Sequence, residues 1–387
     1  MKQAGRQAIA TDRRGSEGTT IGSLLDCGLD LTVVGGYTSV GYRIRSRGWR
    51  VEDLTRMDGK VVLVTGATAG LGLAAAEGFA RLGATVWLVG RSRERAEQAR
   101  AAVIERSGND RVQIGLCDLS SLDSVRGFAG RFCDESPRLD VLVNNAGVLP
   151  QSRTLSSDGI ELALATNVIG PFLLTELLIP VLRDSAPARI INVSSGGMYT
   201  QKISVDDLQS ERGDFDGPKV YARTKRAQVI LTELWAERLE GTGVVVHAMH
   251  PGWADTPGVR SSLPRFHELT RPLLRTPDQG ADTIVWLGSA DVPPGRLWHD
   301  RAERPAYRLP WTRETIGDRE RLWTELEREV RGDREHGEPP ADRQSAPDPR
   351  RDPASGVPGG QREHEVPAGR GEADADGERG GGADPVE

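Results

Sequence analysis

A doubly wound α/β fold, with one parallel β-sheet flanked by helices on both faces, is what this 387-residue sequence predicts. Two observations carry the prediction. Short apolar, β-branched runs alternate with helix-length stretches from about Asp58 to Val330. The first of those runs also ends in a glycine-rich turn, Thr65-Gly-Ala-Thr-Ala-Gly-Leu-Gly72. Strands covered by helices on both faces read as continuous apolar runs, and strand–helix alternation selects parallel pairing. No internal repeat is evident, so this span reads as a single domain.

The elements follow in order. Lys60-Val-Val-Leu-Val-Thr65 is the first strand. Leu71 to Leu82 has helical spacing, with small Ala74, Ala75 and Ala76 on its packing side, and stops at Gly83. Thr85–Val89 is a second strand, and Arg93 to Arg106 a charged amphipathic helix. Val112–Leu116, Asp140–Asn144, Arg189–Val193 and Val244–His250 supply further strands. Long helices are expected near Gly159–Leu182 and Val220–Leu239.

Composition marks the flanks. Residues 1–28 are polar and aperiodic and read as a disordered extension; residues 29–57 read as an N-terminal arm of unassigned role, and 58–331 as the folded domain. Residues 332–387 contain no Leu, Ile, Met, Cys, Phe, Tyr or Trp and read as a disordered charged tail, since they have too little apolar surface to offset ordering entropy.

Charge and cysteine usage exclude several classes. Net charge is −6 with both signs mixed, which leaves no basic footprint for nucleic acid. Three widely spread cysteines do not form a disulfide framework and suit a reducing, cytoplasmic setting. No uninterrupted apolar run reaches the length of a membrane span, and the N-terminus lacks a secretory apolar core. The six histidines show no metal-ligand spacing, so no metal is expected.

A glycine-rich turn between a strand and a helix suits a dinucleotide pyrophosphate, because the helix start offers unpaired N–H groups and a favourable dipole. Gly66 would permit the tight turn, Gly70 the approach of the phosphates, and Gly72 close packing, with Thr68 and Leu71 in the same loop. The second strand ends in Gly90-Arg91-Ser92-Arg93, without the carboxylate that would bind a ribose 2′-hydroxyl. Arg91 can pair with a 2′-phosphate, so NADP(H) is preferred over NAD(H); alternatively Arg91 is a solvated charge at a helix start. Asp118 reads equally as an acceptor for adenine or as part of a helix N-cap region. Asn144-Asn145-Ala-Gly147 ends a strand beside the cofactor path, where Asn144 reads as a backbone-holding residue or a cofactor contact. Tyr221 and Lys225 lie four apart on one helix face, where a fixed positive charge beside a phenol makes an acid usable near neutral pH.

Thr65-Gly-x-x-x-Gly-x-Gly72, Asn144-Asn-Ala-Gly147, Asn167, Ser195, Tyr221-x-x-x-Lys225 and Pro251-Gly252 occur in an order that resembles the short-chain dehydrogenases/reductases, a Rossmann-type family. The resemblance spans about Asp58 to Val330. Ser194-Ser-Gly-Gly-Met198, Asp207-Leu-Gln-Ser-Glu211 and His250-Pro-Gly-Trp-Ala-Asp-Thr-Pro-Gly258 are similar to one subgroup, to which retinol-dehydrogenase-like members are more distant. That likeness extends to Gly35-Gly-Tyr…Gly41-Tyr42 and so places the arm within the folded protein. It implies Tyr221 as general acid or base, Lys225 lowering its pKa and holding the nicotinamide ribose, and Ser195, rather than Ser194, orienting the substrate carbonyl. It further implies that Asn167 kinks its helix and holds a relay water. Asn145, Pro251, Gly252 and Thr256 would contact the cofactor. A carbonyl/alcohol oxidoreductase acting on a small, lipophilic ketone or aldehyde is the implied function, with a homodimer through the Tyr221 helix a further possibility. The alternatives are a non-catalytic NADP-binding regulatory module and a nucleotide-sugar epimerase or dehydratase, the latter disfavoured by the glycine spacing.

The stretch from Gly196 to Val220 is longer than the family usually has, and contains Met198, Tyr199, Ile203 and Phe215. It reads either as a lid over an apolar substrate or as a loop covering the sheet, and Ser261–Leu274 as another lip of the pocket.

Overall fold

The computed structural model describes Asp26, Gly28, Leu29 and residues 32–332. The expectations for residues 1–25 and 333–387 lie outside the described residues. Two short helices, α1 (Val33–Tyr37) and α2 (Ser39–Arg45), precede the first strand, β1 (Val61–Thr65). Then follow α3 (Gly70–Arg81), β2 (Thr85–Gly90), α4 (Arg93–Ser107), β3 (Val112–Leu116), α5 (Leu122–Glu135) and β4 (Val141–Asn144). The second half runs α6 (Leu162–Asp184), β5 (Ala188–Val193), α7 (Gly217–Arg238) and β6 (Val244–Met249). It closes with α8 (Pro257–Ser262), α9 (Pro264–Thr270), α10 (Pro277–Leu287), β7 (Leu297–His299), β8 (Ala302–Arg304) and α11 (Ile316–Arg331).

The sheet order is β3-β2-β1-β4-β5-β6-β7-β8, parallel except for the β7–β8 pair. The chain reverses its direction of travel across the sheet between β1 and β4, where an open α/β sheet leaves a crevice at the carboxyl ends of its strands. Period-2 alternation divides the core between two faces. Val62 and Val64 of β1 pack with Phe79 of α3 and Ile284 of α10, while Leu63 faces Phe128 of α5, Phe172 of α6 and Trp235 of α7. Each such fully buried side chain contributes about 1.5–3 kcal/mol. The six strands expected from the sequence all form, within a residue or so at their ends. The three-residue strands β7 and β8 were too short to show a pattern.

Helix α6 is long and apolar enough to cross a membrane by length and composition, although Thr166, Asn167, Thr175 and Glu176 interrupt its apolar run, and 72% of its most apolar window is buried inside the fold. Its apolar character serves the core between the sheet and α11. Trp323 of α11 lies edge-on to Phe172 and Trp235, so α11 covers part of the α6–α7 face, where a homodimer was one possibility.

The arm packs on the domain through buried charges. Arg275, 1% exposed in its side chain, donates to Asp300 (2.5 and 2.9 Å) and to the Gly36 and Tyr37 carbonyls (2.9 and 3.0 Å). Arg45 joins Asp300 at 2.8 Å and Asp26 at 2.6 Å, and Asp26 also pairs with Arg304. Asp26 is thus engaged three residues before the expected start of the arm. The Arg275 and Arg45 guanidiniums, together with the neighbouring His299, hold the Asp300 carboxyl well below the usual carboxylate range against the opposing effect of burial.

Candidate active site

A cleft of about 800 Å³ opens at the carboxyl ends of β1, β2, β4, β5 and β6. Its floor begins at the glycine turn. Gly66 has φ +65°, a left-handed conformation that favours glycine, and a Cβ there would lie 2.9 Å from the Ala146 Cα. A Cβ on Gly72 would sit 2.3 Å from the Gly66 carbonyl oxygen, so Gly72 serves close packing within the turn. Helix α3 starts after Ala69, which supplies no side-chain cap, leaving first-turn N–H groups of Gly70, Leu71 and Gly72 at the cleft wall. Thr68 lines the cleft and packs on Gly90, where an added Cβ would lie 2.7 Å from its methyl. A bare helix N-terminus behind a glycine turn is the donor set that fits a dinucleotide pyrophosphate.

Arg91 is exposed at the end of β2 and lines the same cleft with Asp118. Asp118 Oδ1 accepts from the Ser120 amide (2.9 Å) and hydroxyl (2.7 Å), while Ser121 is the N-cap of α5, so Asp118 braces the cap region from the cleft wall. Asn144 is 1% exposed and donates to Thr175 Oγ1 and Asn192 Oδ1, both at 3.0 Å, which assigns it to the core. Asn145 lines the cleft, with Nδ2 donating to the Thr65 carbonyl at 2.8 Å. At the far end Pro251, Gly252 and Thr256 line the cleft, and the Thr256 hydroxyl caps α8 by accepting from the Val259 amide.

The polar centre lies between β5 and α7. Tyr221, partly open to the cleft, lines it together with Ser195. The Ser195 hydroxyl also caps the turn at Gly197, whereas Ser194 is buried and donates to the Lys225 carbonyl, 2.8 Å. Lys225 is 3% exposed, and its ammonium stands 5.5 Å from the Tyr221 ring centre. Burial pushes the Tyr221 phenol up to about 12, with the Ser195 hydroxyl opposing, and pushes Lys225 down to about 7. The expected lowering of the phenol pKa by Lys225 does not appear: burial raises it, and Ser195 alone acts against that.

Asn167 sits in a π-helical turn, Ala165–Ile169, inside α6, which is the expected irregularity. Its Oδ1 accepts from the Val148 amide (2.8 Å), and Nδ2 donates to the Val148 carbonyl and to Thr224 Oγ1, each at 3.0 Å. The backbone carbonyl of Asn167 accepts from Gln228 Nε2 at 2.8 Å. Gln228 Oε1 in turn accepts from Lys225 Nζ at 3.0 Å. Sequence reasoning missed Gln228. Its spacing of three residues from Lys225 on one helix was the available signal.

The long stretch after Ser195 is mainly a covering loop. Met198, Tyr199 and Ile203 are buried in the core, and Tyr199 donates to the Pro305 carbonyl at 2.8 Å. Only Gly197, Thr200 and Pro218 of that stretch reach the cleft. The apolar wall comes from Leu149, Pro150, Trp253, Val259, Leu263 and Phe266, the last two from the expected lip.

A dinucleotide cradle at the switch point and a Ser–Tyr–Lys cluster beside it define a nicotinamide-dependent oxidoreductase class, and residues 60–265 match the family model described as short chain dehydrogenase. The chain belongs to the short-chain dehydrogenase/reductase family. It is 45% identical over 282 residues to dehydrogenase/reductase SDR family member 12 of Bos taurus, covering 72% of this chain and 88% of that protein. This is the subgroup that the Ser194–Met198 and His250–Gly258 motifs resemble. Identity to retinol dehydrogenase 14 of Homo sapiens is 38% over 291 residues, covering 67% of this chain and 84% of that one. Among solved structures, an uncharacterised protein from Mycobacterium Paratuberculosis aligns with TM-score 0.60 and 28% identity over 73% of this chain and 98% of its own. A short chain dehydrogenase from Shigella flexneri 2a strain 301 complexed with NADP aligns with TM-score 0.53 and 25% identity, over 64% of this chain and 100% of its own.

Proposed function

We propose that this protein interconverts a lipophilic ketone or aldehyde and its alcohol, with NADP(H) preferred over NAD(H) and Tyr221 as the acid or base. The observation that carries the reading is the convergence of Ser195 and Tyr221 on one apolar cleft, beside the buried side chain of Lys225. The nicotinamide cofactor, when bound, supplies or accepts the hydride. Ser195 donates a hydrogen bond to the substrate oxygen, and Tyr221 delivers a proton to it as negative charge develops. Lys225, in its protonated form, favours the phenolate left behind. Asn167 acts at one remove, pinning the Val148 backbone and Thr224, whose hydroxyl donates to the Tyr221 carbonyl. Gly66, Thr68, Gly70, Leu71 and Gly72 would cradle the pyrophosphate, and Arg91 would meet a 2′-phosphate. Asp118, Asn145, Pro251, Gly252 and Thr256 would line the rest of the cofactor path.

The apolar wall of Trp253, Leu263 and Phe266 supports a lipophilic substrate, as does the likeness to a protein named for retinol. The NADP complex of the Shigella relative supports the cofactor class. The unpaired thiols of Cys117 and Cys133 support a reducing, cytoplasmic setting. The test is NADPH oxidation across a panel of lipophilic aldehydes and ketones, with Tyr221→Phe in parallel. Turnover should fall about 10²–10⁴-fold in the variant while NADPH affinity is kept. Equal turnover by both proteins would remove Tyr221 from the chemistry.

A further inference from the structure

Lys225 Nζ has two acceptors on the protein, the Val193 carbonyl at 2.9 Å and Gln228 Oε1 at 3.0 Å. The other end of the Gln228 amide donates to the Asn167 carbonyl, 2.8 Å away. An ammonium only donates and a carbonyl only accepts, so these two partners allow one orientation of the amide. All three residues are buried, at 3%, 3% and 0% exposure for Lys225, Gln228 and Asn167. The π-turn of α6 presents the Asn167 carbonyl to Gln228, and the same asparagine side chain clamps Val148 in the loop after β4.

We infer that Gln228 is a positioning residue of the reacting centre, which ties the Lys225 ammonium to the irregular turn of α6 and holds it below the Tyr221 ring. The inference rests on the proposed oxidoreductase reading for its catalytic meaning, though the linkage itself does not depend on it.

The electrostatic surroundings make Gln228 a sensitive control. Facing the ammonium are the Tyr221 phenol and Gln228 from α7, the Val193 carbonyl from β5, the Gly147 backbone from the loop after β4, and Asn167 from α6. Desolvation alone shifts its titration, with no carboxylate or second cation acting on it among the described residues. Losing one of two acceptors must therefore weaken the charged form, and a carboxylate at the same place must strengthen it.

The test uses the full chain labelled with ¹³C at lysine Cε. Only five lysines occur, Lys2, Lys60, Lys202, Lys219 and Lys225, so the signal absent from Lys225→Met identifies its owner. Gln228→Leu is expected to lower the Lys225 titration midpoint by about one unit, and Gln228→Glu to raise it by at least as much. In the carbonyl-reduction assay the alkaline limb of the kcat/KM profile should move in the same two directions. Gln228→Ala, which leaves room for a water between Lys225 and Asn167, should retain at least threefold more kcat than Gln228→Leu. A folded Gln228→Glu with an unmoved Lys225 midpoint overturns the inference even where the leucine variant fails to fold. Absence of turnover in the wild type would sink the oxidoreductase reading, while the lysine titration would still decide the linkage.

Discussion

Replacing Lys225 with methionine separates the charge of that side chain from its volume. Burial moves the Lys225 ammonium from 10.5 in water to about 7 in the folded chain. At about 1.4 kcal/mol per unit, that displacement corresponds to an ammonium burial penalty of about 5 kcal/mol. The penalty is fully present below pH 7, where folded and unfolded chains both carry the proton. Between about pH 7 and pH 10.5 the unfolded chain holds a proton that the folded chain has released, so stability rises with pH. Methionine removes the charge and also leaves the Val193 carbonyl and Gln228 Oε1 without their donor, at about 1–3 kcal/mol each and with no pH dependence. The two effects come close to cancelling near pH 6, and the variant should be as stable there as the wild type or slightly more so. Moving to pH 10 should favour the wild type by about 4–5 kcal/mol relative to that starting point. Urea unfolding of both proteins at half-unit steps from pH 6 to pH 10 measures the difference, and titrations common to both cancel. A difference that stays level within about 1 kcal/mol would refute the claim that a desolvated, unpaired ammonium occupies this site.

Two further outcomes follow from the geometry. Arg91 stands exposed at the end of β2 on the cleft wall, so Arg91→Ala should lower kcat/KM for NADPH by about tenfold and leave NADH within about twofold. The wild-type preference should also narrow as salt is added, because an exposed guanidinium–phosphate pair is screened; equal losses for both cofactors would remove Arg91 from 2′-phosphate recognition. Arg275→Leu should cost about 3–5 kcal/mol in urea unfolding, since it leaves the buried Asp300 with only Arg45 and His299 and takes one donor from each of the Gly36 and Tyr37 carbonyls. A loss below about 1 kcal/mol would show that the arm is held by its apolar contacts instead.

The likeness to the solved and curated relatives fixes the reaction family, while the walls of the cleft carry the individuality of this chain. Its covering loop after Ser195 is spent on the core rather than on the pocket, with Met198 and Tyr199 buried and only Gly197, Thr200 and Pro218 reaching the cleft. The apolar lining comes instead from the loop after β4 and from α8 and α9, through Leu149, Pro150, Val259, Leu263 and Phe266. These positions are the ones to vary when a substrate is sought.

What the sequence determined by itself is what near neighbours in the chain decide. The apolar runs of β1 to β6, the glycine turn before α3, and the Tyr221–Lys225 pair on one helix face are set by local sterics and by the periods of strand and helix. Those features led to the α/β class, the dinucleotide cradle and the candidate acid. Tertiary structure decided whatever depends on segments far apart in sequence. Asn144 had two readings until its partners, Thr175 and Asn192, were in place. Residues 29–57 had no role until Arg275 and Asp300, more than 200 positions downstream, closed on Gly36, Tyr37 and Arg45. Gln228 acquired its meaning only when α6 brought the Asn167 carbonyl to it. A buried polar group takes its function from the partner that satisfies it, and long-range folding supplies that partner.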